Sequence, residues 1–317
     1  MALSTDPPAS HHHRAARPLA GIALKVGATF VFTIMAVLAR KLGGAIPVVE
    51  VVFFRCAFAF IPLLSWMVIR GIGLSTLKTK QPWSHARRAM TGVCAMFSYF
   101  GALIYLPVAD LTAIGFASPL IVVILAATVL GEVVRLYRWS AVAVGFVGVM
   151  IMVSPHLSGD FGHGSSIGVG LALANAVFVA FTMIFIRMMS GSEPALTIAF
   201  YFQLASACVS GLIMMFMWMT PNVEQLALLV SLGVLGGIGQ LLMTNSYRFA
   251  DASTLANFDY AAMVWAIMFG WLVFSELPPA EVFAGAVVVI GSGLFIAWRE
   301  QKLGLARAAA TADSSSG

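Results

Sequence analysis

Seven residues of this chain have the side-chain chemistry needed to hold and release a small molecule: Arg55, Tyr99, Gln203, Asn257, Asp259, Tyr260 and Trp265. Each lies in a long apolar run. A charged side chain in hydrocarbon costs roughly 2.5 to 3.5 kcal/mol on insertion scales, so Arg55 in 51-VVFFRCAF-58 and Asp259 in 257-NFDY-260 need a physical reason to be there. A guanidinium and two carboxamides can satisfy the polar edge of a ligand, and three aromatic rings can stack on a planar group or simply pack between helices. A carboxylate at that depth serves either as a coupling group or as a salt-bridge partner.

Covalent chemistry finds no such support. No lysine follows glycine, so there is no Walker A phosphate loop, and no His-Glu-x-x-His occurs. The run 164-GSSIG-168 fits Gly-x-Ser-x-Gly, but that motif needs a preceding strand, and here it reads as a Gly/Ser-rich turn able to cap a helix. Cys56, Cys94 and Cys208 all fall in apolar runs without a Cys-x-x-Cys or Cys/His cluster, which predicts no disulfide framework and no metal site. His11, His12 and His13 sit in a short polar N-terminal segment, read as a mobile tail rather than a metal site; no histidine is predicted deep in a span. Catalytic residues and cofactors are not expected.

The elements that position these residues follow from composition. The chain has 317 residues, 60% hydrophobic and 10% charged, against about 25% charged in soluble domains, so it reads as an all-α membrane protein. The net charge of +5 is spread along loops, not gathered on one face, so nucleic acid is not a predicted partner; the lipid bilayer and a small molecule are. Polar, Pro and Gly punctuation divides the chain into ten candidate spans centred near residues 29, 58, 96, 119, 146, 177, 206, 236, 264 and 289. Fourteen of the eighteen Lys and Arg residues fall on one side of these spans, against Arg40 and Lys41 on the other, with Lys25 and Arg55 inside them. The imbalance predicts both termini in the cytoplasm. A homodimer is compatible with the sequence.

An internal repeat runs through the chain. The first span, 21-GIALKVGATFVFT-33, shares five of thirteen positions with the sixth, 170-GLALANAVFVAFT-182, and 130-LGE-132 after the fourth span corresponds to 274-FSE-276 after the ninth. The offset stays between 144 and 149 residues. Five spans is an odd number, so the second copy crosses in the opposite sense: ten transmembrane helices form two inverted five-helix repeats, an architecture of carriers that alternate access around a midplane site. The predicted organisation is a disordered tail over 1–18, a first repeat over 19–155, a second over 166–298, and a disordered cytoplasmic tail over 299–317.

The intramembrane polar groups carry competing assignments. Arg55 either faces a central cavity or pairs structurally, for instance with Glu50; a comparable depth in the seventh span holds Gln203, and Asp259 is within reach of Arg55 if the second and ninth spans are neighbours. In a regular ninth helix Asn257 and Tyr260 share a face with Ser253 and Thr254, while Asp259 points about 200° from Asn257, so either one polar group is structural or the backbone is distorted near Asn257. Lys25 is expected to snorkel, Asp110 and Asp251 to cap helix N-termini, and Glu132 to serve a turn or an ion pair such as that with Arg135. Asn175, Gln240 and Asn245 are expected to join helices, and Gly233 with Gly237 to let the eighth span approach a neighbour closely.

The mid-span arginine of 54-FRCAFA-59, 129-VLGE-132 with the glycine-rich fifth span after it, and 240-QLLMTNSYRFADAS-253 leading into 257-NFDYAAMVWAIMFGWLVFSELP-278 resemble the drug/metabolite transporter superfamily, specifically its EamA-type members. The resemblance covers roughly residues 19 to 298. It implies a ten-helix carrier of the bacterial inner membrane with a cavity lined by both repeats, in a branch that includes riboflavin and S-adenosylmethionine transporters. That branch often has proline where this chain has Asn257, so a proline-broken ninth helix does not transfer. Riboflavin uptake is the preferred expectation, with Tyr99, Tyr260 and Trp265 stacking on the ring and Arg55, Gln203 and Asn257 on its polar edge. S-adenosylmethionine transport, export of amino acids or other metabolites and, remotely, a membrane-embedded transferase are the alternatives.

Overall fold

The computed structural model describes residues 18–132, 134–157, 163–189, 192–247, 249–250, 255 and 257–315. The predicted N-terminal tail with its histidine triplet, Asp251, Ser253 and Thr254 lie outside them. Among the described residues eleven α-helices carry the fold: α1 (Pro18–Leu42), α2 (Val48–Ile69), α3 (Pro82–Tyr105), α4 (Val108–Gly115), α5 (Ala117–Thr128), α6 (Leu136–Leu157), α7 (His163–Met189), α8 (Ala195–Met214), α9 (Val223–Ser246), α10 (Ala261–Phe274) and α11 (Ala280–Ser315). Short 3₁₀ turns cover Leu74–Leu77 and Asn257–Tyr260. No strand occurs among the described residues, in particular none before 164-GSSIG-168, which opens α7.

Local sequence explains several boundaries. Pro47, Pro107 and Pro194 each directly precede a helix, where a missing N–H costs nothing. Asn222 and Gln225 form a reciprocal capping box at the start of α9. The fourth span is one run in sequence but two helices in the structure, because Pro119 cannot donate to the Gly115 carbonyl four residues earlier; Ser118 Oγ donates to that carbonyl instead, at 2.8 Å. The ninth span departs from a regular helix at Asn257–Tyr260 despite the absence of a proline. The last helix runs on through residues 299–315, where the sequence predicts a disordered tail; the alanine-rich 306-ARAAATA-312 stretch is a strong helix former.

Nine described segments are long and apolar enough to cross a membrane. The remaining predicted span, the third, is α3: it is 24 residues long but falls short in apolarity because His85, Arg87 and Arg88 lie in its first two turns. It packs on α7 and α8 within the same bundle.

The contacts obey the repeat. The packing of α1 on α9 has its counterpart in α7 on α3, that of α2 on α9 in α8 on α3, and that of α10 on α1 in α5 on α7. Three further contacts join a span to its own counterpart: α2 with α8, α4 with α10, and α6 with α11. The sense of each helix follows from its neighbours. Arg40, near the end of α1, donates to the Leu103 and Leu106 carbonyls at the end of α3, so α1 and α3 finish on the same side. Along α3 and α7, Gly168 meets Tyr105, Asn175 Nδ2 donates to the Ala95 carbonyl at 2.8 Å, and Thr182 donates to Thr91, so α7 runs against α3 and therefore against α1. The two repeats are inverted, and Asn175 is one of the rivets between them.

Glycine sets the closest approaches. A methyl group on Gly233 would lie 2.6 Å from the Phe54 carbonyl oxygen, and one on Gly237 2.7 Å from that of Ala59, so the predicted Gly-x-x-x-Gly docks α9 on α2.

Candidate functional site

The two ends of the bundle are called here the Leu42 end and the Pro18 end, after the limits of α1. At the Leu42 end, Arg40 grips Glu276 with one nitrogen on both carboxylate oxygens, at 2.7 and 2.9 Å, while its other nitrogen bonds the α3 carbonyls. At the Pro18 end, Arg187 pairs with Glu132 at 2.6 Å. Arg40 and Arg187 are 147 positions apart and Glu132 and Glu276 are 144 apart, so these are one interaction built twice by the repeat. Both glutamates are placed by the same device: Gly131 (φ 67°) and Ser275 (φ 56°) adopt the left-handed conformation, and the following amides bond back to the Ala126 and Gly270 carbonyls six residues earlier. The two clamps differ in setting, since side-chain exposure is 15% and 36% for Arg40 and Glu276 but 59% and 32% for Arg187 and Glu132. The sequence-based partner for Glu132, Arg135, is thus replaced by a residue from the other repeat.

Between the clamps, Arg55 Nη1 donates to Gln203 Oε1 at 2.6 Å, and both side chains are buried. These residues are 148 positions apart, so α2 and α8 bring two corresponding positions face to face on the axis that relates the repeats. Arg55 does not reach Asp259 or Glu50. Asp259 pairs instead with Lys25 at 2.6 Å, and Glu50 accepts from the Met219 amide of the loop after α8. Lys25, expected to snorkel, is 1% exposed and also bonds the Tyr247 hydroxyl at 3.4 Å.

The remaining predicted contacts are dispersed. Tyr260 sits edge-on to Phe116 with centroids 5.1 Å apart, another pair of corresponding positions, and its hydroxyl packs on Gly293 of α11. Trp265 meets Phe30 of α1 edge-on at 5.3 Å, and Tyr99 meets Phe100 at 5.4 Å. None of these three rings pairs with another of the three among the described residues, and Asn257 is exposed. The 3₁₀ turn resolves the face conflict: at 120° per residue Asn257 and Tyr260 eclipse, and Asp259 is free to turn toward α1.

Two groups escape the sequence. His156, 1% exposed in the last turn of α6, bonds Asp110 at 2.9 Å, so Asp110 ties α4 to α6 instead of capping its helix. Asp110→Asn is expected to lower the unfolding free energy by about 1 kcal/mol, the difference between a charged and a neutral hydrogen bond; unchanged thermal unfolding in detergent would refute the pairing. The second is Arg88, 7% exposed, whose guanidinium lies 4.2 Å from the Phe202 ring. Repeat arithmetic could have found the clamps and the Arg55–Gln203 pair, whereas nothing periodic marks Lys25, His156 or Arg88 as partners.

No group of three or more His, Cys, Asp or Glu suited to a metal ion occurs among the described residues. What these residues can do is tie the two repeats together at both ends of the bundle and keep charge between them.

The description "EamA-like transporter family" matches residues 19–154 and 166–298. The chain is 32% identical over 266 residues to an S-adenosylmethionine uptake transporter of Rickettsia prowazekii (strain Madrid E), covering 84% of this chain and 88% of the relative. It is 30% identical over 272 residues to the pseudopaline exporter CntI of Pseudomonas aeruginosa (strain UCBPP-PA14), covering 85% and 93%. To a riboflavin transporter of Vibrio cholerae serotype O1 (strain ATCC 39315 / El Tor Inaba N16961) it is 30% identical over 295 residues, covering 92% and 96%. With both repeats matched and the inverted ten-span bundle in place, this multi-pass membrane protein belongs to the EamA-like transporter family.

Proposed function

We propose that the chain is a secondary transporter that moves a small polar metabolite across the bacterial inner membrane by alternating access, with both termini in the cytoplasm. The observation that carries this is the pair of symmetry-related clamps, Arg40–Glu276 and Arg187–Glu132, one at each end of the bundle and unequally buried. An inverted repeat can exchange the conformations of its halves, so the tight clamp at one end and the loose clamp at the other mark one of two mirror-related states. The Pro18 end, where most loop arginines and lysines fall, is assigned to the cytoplasm.

Riboflavin uptake draws support from the Vibrio relative. The rings proposed to stack on it, Tyr99, Tyr260 and Trp265, each already pack on another aromatic side chain. Uptake of S-adenosylmethionine or a similar metabolite draws on the Rickettsia relative and on the buried polar pair at Arg55 and Gln203.

The test is uptake and efflux of labelled S-adenosylmethionine, amino acids and riboflavin in proteoliposomes, with and without a proton gradient. Protein-dependent flux of at least one compound is expected; flux of none refutes the assignment. Asp259→Asn, which removes the charge opposite Lys25, is expected to slow that flux about tenfold, as for the loss of roughly 1.4 kcal/mol. A variant transporting at the parental rate with the same gradient dependence would reduce the Lys25–Asp259 pair to packing.

A further inference from the structure

Among the described residues, two buried guanidinium groups have no acidic partner. Arg55 is 4% exposed and Arg88 is 7% exposed, and among the described residues no carboxylate lies within ion-pairing distance of either. Each has a neutral companion from adjacent positions of α8: Gln203 accepts from Arg55 Nη1, and the Phe202 ring underlies Arg88. Polar hydrogens are left over. Arg55 Nε, Arg88 Nε and Arg88 Nη1 are buried without a hydrogen-bond partner.

A guanidinium cannot shed its charge, so a buried unpaired one is costly, and two in electrostatic reach of each other are more so. The backbone nonetheless makes room for both. A methyl group on Gly92 would collide with Arg88 Nη1 and the Phe202 ring, and one on Gly236 would lie 3.1 Å from Arg55 Nε. Gly92 and Gly236 are 144 positions apart, so the same place in each repeat is left empty beside an arginine.

We propose that Arg55 and Arg88, steadied by Gln203 and Phe202, form the receptor for the carboxylate of the transported metabolite. A guanidinium fork is matched in shape and charge to a carboxylate, and Phe202 takes the face of Arg88 while leaving its edge free to donate. The site therefore selects metabolites with a free carboxylate, such as S-adenosylmethionine and other amino-acid-derived compounds. Riboflavin, which has none, is not its ligand.

This rests on the transport assignment above, and the experiment separates the two. Binding to the purified full-length protein and flux into proteoliposomes are measured for S-adenosylmethionine and its carboxamide, methionine and methioninamide, succinate and succinamide, and riboflavin. At least one carboxylate is expected to bind about tenfold or more tightly than its amide, and Arg88→Gln and Arg55→Gln each to weaken the carboxylate more than the amide, so that the preference is lost. Riboflavin or an amide bound as well as every carboxylate overturns the proposal but leaves transport standing; so does a carboxylate preference that survives both substitutions. Carboxylate-selective binding without flux of any compound upholds the receptor and refutes transport. If neither glutamine variant is monodisperse, the acid-against-amide comparison on the parent protein decides, and Arg88→Lys, which keeps charge but loses the fork, is expected to retain only part of the preference.

Discussion

An Arg40→Ala variant is expected to transport its metabolite about 30-fold more slowly than the parent chain, the equivalent of roughly 2 kcal/mol. Arg40 holds both oxygens of Glu276 and two carbonyls at the end of α3, so one substitution unties α1 from α3 and α10 together. Hydrogen bonds to charged groups are worth roughly 1.5 to 3 kcal/mol, and the partial exposure of Glu276 places the loss near the lower part of that range. A carrier must revisit the state closed at the Leu42 end on each cycle. Depopulating that state by 2 kcal/mol shifts a two-state equilibrium about 30-fold and throttles turnover accordingly.

The repeat supplies the control. Arg187 makes the corresponding contact to Glu132 at the opposite end, but its guanidinium is far more solvated than that of Arg40, so Arg187→Ala is expected to change flux by less than about threefold, in line with surface pairs worth about 0 to 1 kcal/mol. The charge reversal Arg40→Glu with Glu276→Arg is expected to recover part of the loss. Equal effects at the two ends, or parental flux in Arg40→Ala, would show that the clamps do not gate. The readout is initial uptake rate in proteoliposomes of matched protein content.

The largest effect on stability is expected at Gly285. Where α6 crosses α11, Gly148 and Gly285 face each other: a methyl group on Gly148 would lie 2.8 Å from the Gly285 carbonyl oxygen, and one on Gly285 would strike the Gly148 carbonyl and Met152. The obstacles to a side chain at Gly285 include the Gly148 carbonyl and the Met152 amide, backbone atoms that no rotamer change can move. Gly285→Val must separate the helices or break their contact, at a cost of about 3 kcal/mol or more, the upper range for overpacking. Gly291, on the same helix with nothing near its missing side chain, gives the contrast: Gly291→Ala is expected to be neutral or stabilising by up to about 1 kcal/mol. Thermal unfolding in detergent measures both. A Gly285→Val protein as stable as Gly291→Ala would mean that α6 and α11 do not cross there.

Much of this was legible before any coordinate. Apolar run length marks the spans, and the first-to-sixth match with the two glutamate-bearing ends marks the repeat. The same arithmetic relates Arg40 to Arg187, Arg55 to Gln203 and Phe116 to Tyr260, so two of the pairings described above, Arg55 with Gln203 and Phe116 with Tyr260, are latent in a residue offset. Partners with no counterpart were not legible. Asp259 could be matched by depth to several cations, and only the packing of α1 against the 3₁₀ turn and α10 selects Lys25, 234 positions away in the chain. Asp110 looked like a helix cap until α6 brought His156 to it.

By itself the sequence determined that this is a membrane protein of two inverted repeats in a transporter family, because hydropathy, run length and repeat register are local properties that survive without knowledge of neighbours. Tertiary structure alone decided which charges meet, that the ninth span twists at Asn257, and that Arg55 and Arg88 stand buried without an acid. The reason is physical: lipid offers helices no hydrophobic drive to choose one neighbour over another, so that choice rests on small-residue packing and a few polar contacts spread across the whole chain.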